Sequence, residues 1–586
     1  LDFSDPGDTN GDEILDGTGP FGGSLYLEDQ INQAISGGGE VSEKDLVGHG
    51  THVAGSAAGN GRATGNGISS DTYVGVAPEA DLIIVKAARD KGSRNFYDFD
   101  YINAIKFIDS MSTVLREPYV INLSLGGSNG PHDGRDLAEQ AIDELVGRNK
   151  RGKAIVISAG NDGEKAIHST GTFTNYNNSY EIRFSIPNYN PNSDNMDDYV
   201  FFEGWYSASD IYKIKIITPT NKIFGPVTTG NEYGTDTNEG AIYITNAKNG
   251  TSPLNGDRQF LVQVYDFTKQ NTPASGEWKI IIEGTSGRYD LWLSTSTMDA
   301  YLTSQTDNSM IVGTPGTAFN AITVGSYVTK VRWIDYDNNS LYIPNLELEY
   351  ASAFSSPGPT RDGRIKPEIS APGEMIAASL SADAFPGSSY SMFETGSNQF
   401  PNGYVARDGK HGISKGTSFS APHVTGTVAL LFSYNPNLDA IDVRNAIINS
   451  AKKDGFTGST PNDKWGYGKL DAYNAIKYVI NNPPEITLNL AIFQNPALTQ
   501  YIDFYLISKH PLEQLPTATI KVGNQSPENI NMSQLDSYIY KGEFVLTQEG
   551  LATLTVNATI QGQSAQIIYK YFNVNLLKMN SENNIH

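Results

Sequence analysis

The chain has 586 residues, 38% of them hydrophobic and 18% charged, with a formal net charge of −23 and no cysteine. This length calls for two to four hydrophobic cores. The missing cysteines exclude thiol catalysis, thiolate metal sites and disulfides, and the acidic balance argues against nucleic acid, which is bound through Lys and Arg. No apolar run approaches the roughly 20 residues that span a bilayer. The sequence opens at Leu1 without Met, a basic segment or an apolar leader, and reads as a processed or trimmed product.

The first segment with a chemical pattern is Asp8-Thr9-Asn10-Gly11-Asp12-Glu13-Ile14-Leu15-Asp16. It spaces oxygen ligands as a calcium loop does, through Asp8, Asn10, Asp12, the Ile14 carbonyl and Asp16. It departs from the EF-hand pattern because Glu13 stands where Gly is expected and no glutamate closes the loop. An acidic surface turn is the alternative reading.

From about 48 to 163 strands and helices alternate. Short branched runs at 81–87 (DLIIVKA), 120–125 (VINLSL) and 154–158 (AIVIS) predict buried strands, and 97–115 and 134–150 predict helices. Such an order argues for a parallel sheet with helices on both faces. Between 166 and 300 the texture changes to Asn, Tyr, Ser, Gly and Thr around alternating runs such as 181–186 (EIRFSI), 260–265 (FLVQVY) and 289–293 (YDLWL). This predicts an antiparallel β-sandwich inserted into the α/β domain. The α/β texture returns at 321–326 (AITVGS) and runs to about 480, with a buried helix predicted over 418–434 and Pro422 in its first turn. Asn481-Asn482-Pro483-Pro484 reads as a linker, followed by short strands that predict a small C-terminal β-sandwich. The expected division is 1–165 and 301–481 for the two parts of the α/β domain, 166–300 for the insert and 485–578 for the C-terminal domain.

Two motifs carry chemistry: Gly48-His49-Gly50-Thr51-His52-Val53-Ala54-Gly55 and Gly416-Thr417-Ser418-Phe419-Ser420-Ala421-Pro422-His423-Val424. A serine hydroxyl is a weak nucleophile near neutral pH and needs an adjacent base, and histidine has the pKa for that role. The apolar run after Ser418 places the serine at a helix N-terminus, where free amides favour developing negative charge. Ser158-Ala159-Gly160-Asn161 follows a strand and presents a side-chain amide that can donate to an oxyanion.

These three motifs, in this order, resemble the signatures of the subtilases, the subtilisin-like serine proteases. Asn122-Leu123-Ser124-Leu125-Gly126-Gly127, Gly75-Val76-Ala77-Pro78, Phe354-Ser355-Ser356-Pro357-Gly358-Pro359 and Trp465-Gly466-Tyr467-Gly468 extend the likeness over roughly 1–163 and 301–480. The insert, with Gly276-Glu277-Trp278 and Arg288-Tyr289-Asp290-Leu291-Trp292, resembles the β-domain of clostridial germination-type subtilases. The resemblance implies a secreted serine endopeptidase acting on protein or peptide substrates, at a bacterial cell surface or outside the cell, often with structural calcium. It implies His49 as base, Ser418 as nucleophile, Asn161 as oxyanion donor and Ser124, Leu125 and Gly126 as the edge that pairs with extended substrate. Asp162 is then a candidate lining residue for the side chain before the cut bond, favouring a basic residue there.

One family feature does not match. The triad aspartate stands upstream of the histidine in an apolar-Asp-Thr/Ser-Gly motif, and no such motif occurs; Asp5-Pro6-Gly7 is a weak substitute without a preceding strand. The aspartate segment is then either cut off and still bound as a separate chain, absent from this sequence, or truly lacking. The last case makes the protein a catalytically silent binding or regulatory module. Of the other histidines, His52 is expected to pack beside the site and His423 to be a core residue of the serine helix. His411 is expected in a loop without a role.

Overall fold

Four short runs of branched residues meet edge to edge in a parallel sheet, in the spatial order Tyr119–Leu123, Lys153–Ser158, Ile322–Val328 and Ile369–Glu374. The computed structural model that shows this describes residues 1–2, 24–39, 41, 43–88, 96–191, 197–266, 271–393, 396, 399–482, 488–492, 501–508, 511–545, 550–560 and 563–574. The calcium-loop residues Asp8, Asn10, Asp12, Ile14 and Asp16, and Asp5, lie outside the described residues. Two units form, Leu1–Tyr478 and Val479–His586.

The two middle strands of the parallel sheet are buried along nearly their whole length, which explains why they read as continuous apolar runs instead of alternating ones. Helices cover the sheet. Asp98–Leu115 lies close to the sequence expectation, and Leu137–Leu145 is shorter than expected. The latter starts sharply because Asp136 accepts from Ala138 N while Glu139 reaches back to the Asp136 amide, a reciprocal cap that satisfies otherwise orphaned donors. The long apolar helix Thr417–Tyr434 packs on the sheet strands. It starts one residue earlier than expected, so Pro422 falls in its second turn.

The segment 81–87 corrects the sequence expectation. It is extended but is not a sheet strand, and Leu82 and Ile84 are each 56% exposed. Its described pairing is with the chain start: the Leu1 ammonium donates to Ile84 O at 2.8 Å, Lys86 N donates to Leu1 O at 2.8 Å, and Asp2 bridges Lys86 in parallel. An apolar run becomes a buried strand only where a neighbour covers it, and none covers Leu82 and Ile84 among the described residues.

Between Lys153–Ser158 and Ile322–Val328 the chain builds two facing antiparallel sheets, of six and five strands, from His168–Thr172 to Tyr301–Leu302. Their alternate residues interdigitate around Phe184, Phe202, Tyr206, Phe260, Trp278 and Trp292, as period-2 patterning with one wet face requires. In the second unit seven strands form one continuous sheet. Glu528–Gln534 pairs through its first residues with Thr517–Val522 and through its last with Ile539–Val545. The sheet therefore turns at this strand and curls over Phe504, Leu506, Tyr540, Leu554 and Val556, giving a half-barrel.

Candidate active site

The geometry begins with the helix that carries the histidine. His49–Ala58 starts where Gly48 adopts φ +84°, a left-handed conformation in which a Cβ would also press on Ala384 and Phe393 at 2.8 Å. Gly48 has no side chain to cap the helix, and Asp45 supplies the cap instead. One oxygen accepts from Gly48 N at 2.7 Å and the other from Thr51 N and Thr51 Oγ1, both at 2.8 Å. The carboxylate thus satisfies free amides at the positive end of the helix and fixes His49 at its first turn. Sequence reasoning missed Asp45; its signal is an acid three residues before the left-handed glycine.

His52, one turn on, is fully buried. Its Nε2 faces Ile376 O at 3.2 Å and Gly412 O at 3.1 Å, and burial pulls its pKa down to about 3. It is a neutral packing histidine beside the site, as expected. Gly55 lets this helix approach the strand Ile376–Ser379, since a Cβ there would meet Ser379 Oγ at 2.5 Å.

Ser418 is the second residue of its helix. Pro422, four residues on, has no N–H, so the Ser418 carbonyl is left without its helical partner. Ser124 Oγ donates to that carbonyl at 2.6 Å, and Ser418 Oγ donates to Ser124 O at 3.4 Å. The proline therefore creates the anchor that ties the nucleophile helix to the edge segment 124–126. His423 Nδ1 bonds Phe419 O at 2.8 Å within the helix, and burial lowers its pKa.

Asn161 is exposed at the tip of the strand Lys153–Ser158, and its Oδ1 accepts from Thr417 N at 2.9 Å and Thr417 Oγ1 at 3.0 Å. Thr417 Oγ1 in turn accepts from Gly160 N at 3.1 Å. With its oxygen committed, the amide has Nδ2 to offer as a donor. The Ser418 amide, in the first turn of its helix, is the natural second donor.

His49, Ser418, Asn161, Ser124, Leu125 and Gly126 all line one cleft of about 990 Å³. The ring of Phe419 lies between the two histidines of the first motif, 5.5 Å from His49 and 4.4 Å from His52. Asp162 also lines the cleft, and its carboxylate is paired with Lys165 Nζ at 2.8 Å. One sequence expectation fails here. His411 does not sit in a loop: it opens the strand His411–Ser414, is buried, and bonds Asp408 Oδ2 at 2.5 Å with its ring against Tyr73.

The sequence profile of the subtilase family matches residues 26–310 and 295–468. The chain belongs to the subtilase family. Among characterised subtilases, it is 42% identical over 119 residues to subtilisin of Bacillus sp. (strain TA39), covering 20% of this chain and 25% of that protein. It is 36% identical over 144 residues to the major intracellular serine protease of Bacillus subtilis (strain 168), covering 25% and 37%. It is 24% identical over 440 residues to the subtilisin-like protease SBT4.14 of Arabidopsis thaliana, covering 71% and 50%. The subtilase chain thus spans a quarter to a half of the length of these relatives. In fold it is similar to the CspB protease of Clostridium perfringens, with a TM-score of 0.61 and 24% identity over 78% of this chain and 88% of that one. Subtilases are serine endopeptidases. No helix among the described residues is long and apolar enough to cross a membrane.

Proposed function

We propose that this subtilase is a serine endopeptidase whose third catalytic group, an aspartate, arrives on an extended strand seated beside the histidine helix. The observation that carries the endopeptidase reading is the convergence of His49, Ser418, Asn161 and the edge segment 124–126 on one cleft. Ser418 Oγ attacks the scissile carbonyl. His49 takes its proton and returns it to the leaving amine. Asn161 Nδ2 and the Ser418 amide receive the oxyanion, and Ser124, Leu125 and Gly126 pair with extended substrate as an added strand.

The shape of the same cleft supports the strand proposal. Leu82, Ile84, Val85, Lys86, Ala87 and Ala88, the edge residues from Ser124 to Gly127, and Gly50, Ala54, Gly55 and Ala58 of the histidine helix all line that cleft. Tyr119–Leu123, which leads into Ser124, is the outer strand of the parallel sheet. The outer position of Tyr119–Leu123 and the exposed Leu82 and Ile84 support a slot for one further parallel strand, whose end would reach His49, beside the segment that Leu1 and Asp2 already pair with. An apolar stretch ending in Asp-Thr-Gly has the chemistry to fill it, on a separate cleaved piece or on the same polypeptide.

The test is labelling with a fluorophosphonate probe, with and without a synthetic apolar peptide ending in Asp-Thr-Gly. Labelling that the peptide stimulates and that Ser418→Ala abolishes supports the proposal. Absence of labelling in both conditions favours a second reading, a catalytically silent binding module. One observation favours that reading for the chain by itself: the acids that line the cleft are engaged elsewhere. Asp45 caps the histidine helix, Glu43 pairs with Lys86 at 3.5 Å and Asp162 pairs with Lys165.

Two further features belong to the proposal. A bacterial cell exterior is the proposed setting, supported by the −23 charge. Structural calcium is proposed on Asp8, Asn10, Asp12, Ile14 and Asp16, supported by the spacing of these residue types along the sequence, and is tested by the loss of thermal stability on chelation.

A further inference from the structure

The edge that receives substrate continues from Ser124 to Gly130, and its far end is held by a residue of the inserted sandwich. Gly130 N donates to Glu203 Oε2 at 2.9 Å. Glu203 lies in the strand Tyr199–Tyr206 and is 5% exposed. Its other oxygen accepts from Trp205 Nε1 at 3.0 Å and Gln259 Nε2 at 2.7 Å, both on the same sandwich. A buried carboxylate is costly unless its oxygens are satisfied, and here two sandwich donors aim it at one backbone amide of the substrate edge. A second contact repeats the arrangement. Trp292 of the sandwich stacks on His132 at 4.3 Å, and the His132 ring bonds Val312 O through Nδ1 at 2.8 Å and places Nε2 3.3 Å from Ser128 O. On the α/β side, Gly127 and Thr314 exchange backbone bonds of 3.0 and 2.9 Å, and Thr314 Oγ1 donates to Asn129 O at 2.8 Å.

We infer that Glu203 is a positioning residue for substrate, and that the inserted sandwich serves the cleft by holding the 124–130 edge in its peptide-binding form. The inference rests on the endopeptidase reading for the identity of what binds. A bound peptide adds to the edge as a strand, and its affinity depends on that edge being ordered beforehand. Removing the carboxylate leaves Gly130 N unpaired and the edge loose.

The experiment compares the wild-type chain with Glu203→Ala, Glu203→Gln and a control, Glu239→Ala. Glu239 is a buried carboxylate of the same sandwich that accepts from Thr220 Oγ1 at 2.6 Å, away from the cleft. Two readouts are taken: amide hydrogen exchange over 124–130, and binding of a fluorescent hexapeptide with a non-cleavable central bond. For Glu203→Ala, exchange should quicken and binding weaken by about tenfold each, the size of one buried donor left unsatisfied. Glu203→Gln should fall between, because it keeps one acceptor oxygen. Glu239→Ala should leave both readouts at their wild-type values. Wild-type exchange and binding in a folded Glu203→Ala, or equal losses in Glu239→Ala, would overturn the inference. Should Glu203→Ala fail to fold, wild-type behaviour of Glu203→Gln overturns it equally. Failure of the wild-type chain to bind the hexapeptide removes the endopeptidase reading, while exchange still decides whether Glu203 braces the edge.

Discussion

Thr417 holds Asn161 by two bonds at once, its backbone N–H and its hydroxyl both donating to Asn161 Oδ1, at 2.9 and 3.0 Å. A side-chain amide can point either end at a developing oxyanion, and only the nitrogen end stabilises it. Thr417 decides which end is presented. In subtilisin, the reference case for such a donor, its loss costs about 10²–10³ in turnover. Asn161→Ala should slow fluorophosphonate labelling of Ser418 by a comparable factor. Thr417→Val, which keeps the backbone bond and the side-chain shape but loses both the hydroxyl bond to Asn161 Oδ1 and the one from Gly160 N, should slow it by about thirtyfold, the size of two hydrogen bonds of about 1 kcal/mol each. Equal rates for Thr417→Val and wild type would show that the backbone bond alone orients the amide.

Leu82 and Ile84 are apolar and open to solvent in a wall of the cleft. Leu82→Asp with Ile84→Asp should leave the melting temperature of the chain alone almost unchanged, because exposed substitutions usually stay within about ±0.5 kcal/mol. The same pair should abolish capture of the Asp-Thr-Gly peptide, measured by isothermal titration. Retained binding would move the proposed strand elsewhere.

Asp162 lines the cleft but is neutralised by Lys165. Both partners are partly exposed, so their pairing contributes little to stability. Lys165→Ala should free the carboxylate and raise the preference for Arg or Lys before the cut bond by several-fold, read from a peptide library that varies that position. An unchanged profile would remove Asp162 from the specificity pocket.

Glu139 offers a pH signature. Burial raises its pKa from 4.5 to about 7. A carboxyl whose folded pKa is raised contributes stability that is fully present below about pH 4.5 and is lost as pH rises through about 7. Glu139→Gln cannot ionise and escapes that loss. The stability of wild type relative to Glu139→Gln should therefore fall between pH 4.5 and 7 and stay flat on either side, in urea unfolding followed across pH. A difference independent of pH would mean that folding leaves the Glu139 pKa where it is in the unfolded chain.

The residues at the cleft were legible because each chemical role restricts both identity and spacing: His49 after a left-handed glycine, Ser418 at a helix start, Asn161 at a strand end. Their partners were not, because the restriction is spatial. Asp45 is an ordinary acid until the helix after Gly48 needs a cap. Asp408 and His411 become a pair only when the strand His411–Ser414 is buried. The fold was legible where apolar runs have neighbours, as in Lys153–Ser158, and misled where they do not, as in 81–87. Glu528–Gln534 escaped notice because its sequence ENINMSQ has almost no apolar face; it is a strand through its pairing on both sides.

Ile322 sits opposite Val156 in the parallel sheet, with the whole sandwich intervening between them in the chain. Pairing those two strands therefore means closing a very long loop. The sandwich shortens that closure by joining its own ends: Arg288–Ser296 pairs with His168–Thr172, and Leu302 N donates to Ala166 O at 3.0 Å. Loop-closure entropy grows with the length of chain left free, so a sandwich formed early leaves only short tethers to be ordered when the sheet zips shut. The insertion can thus act during synthesis as a folding scaffold, one that delivers the two halves of the catalytic sheet to each other.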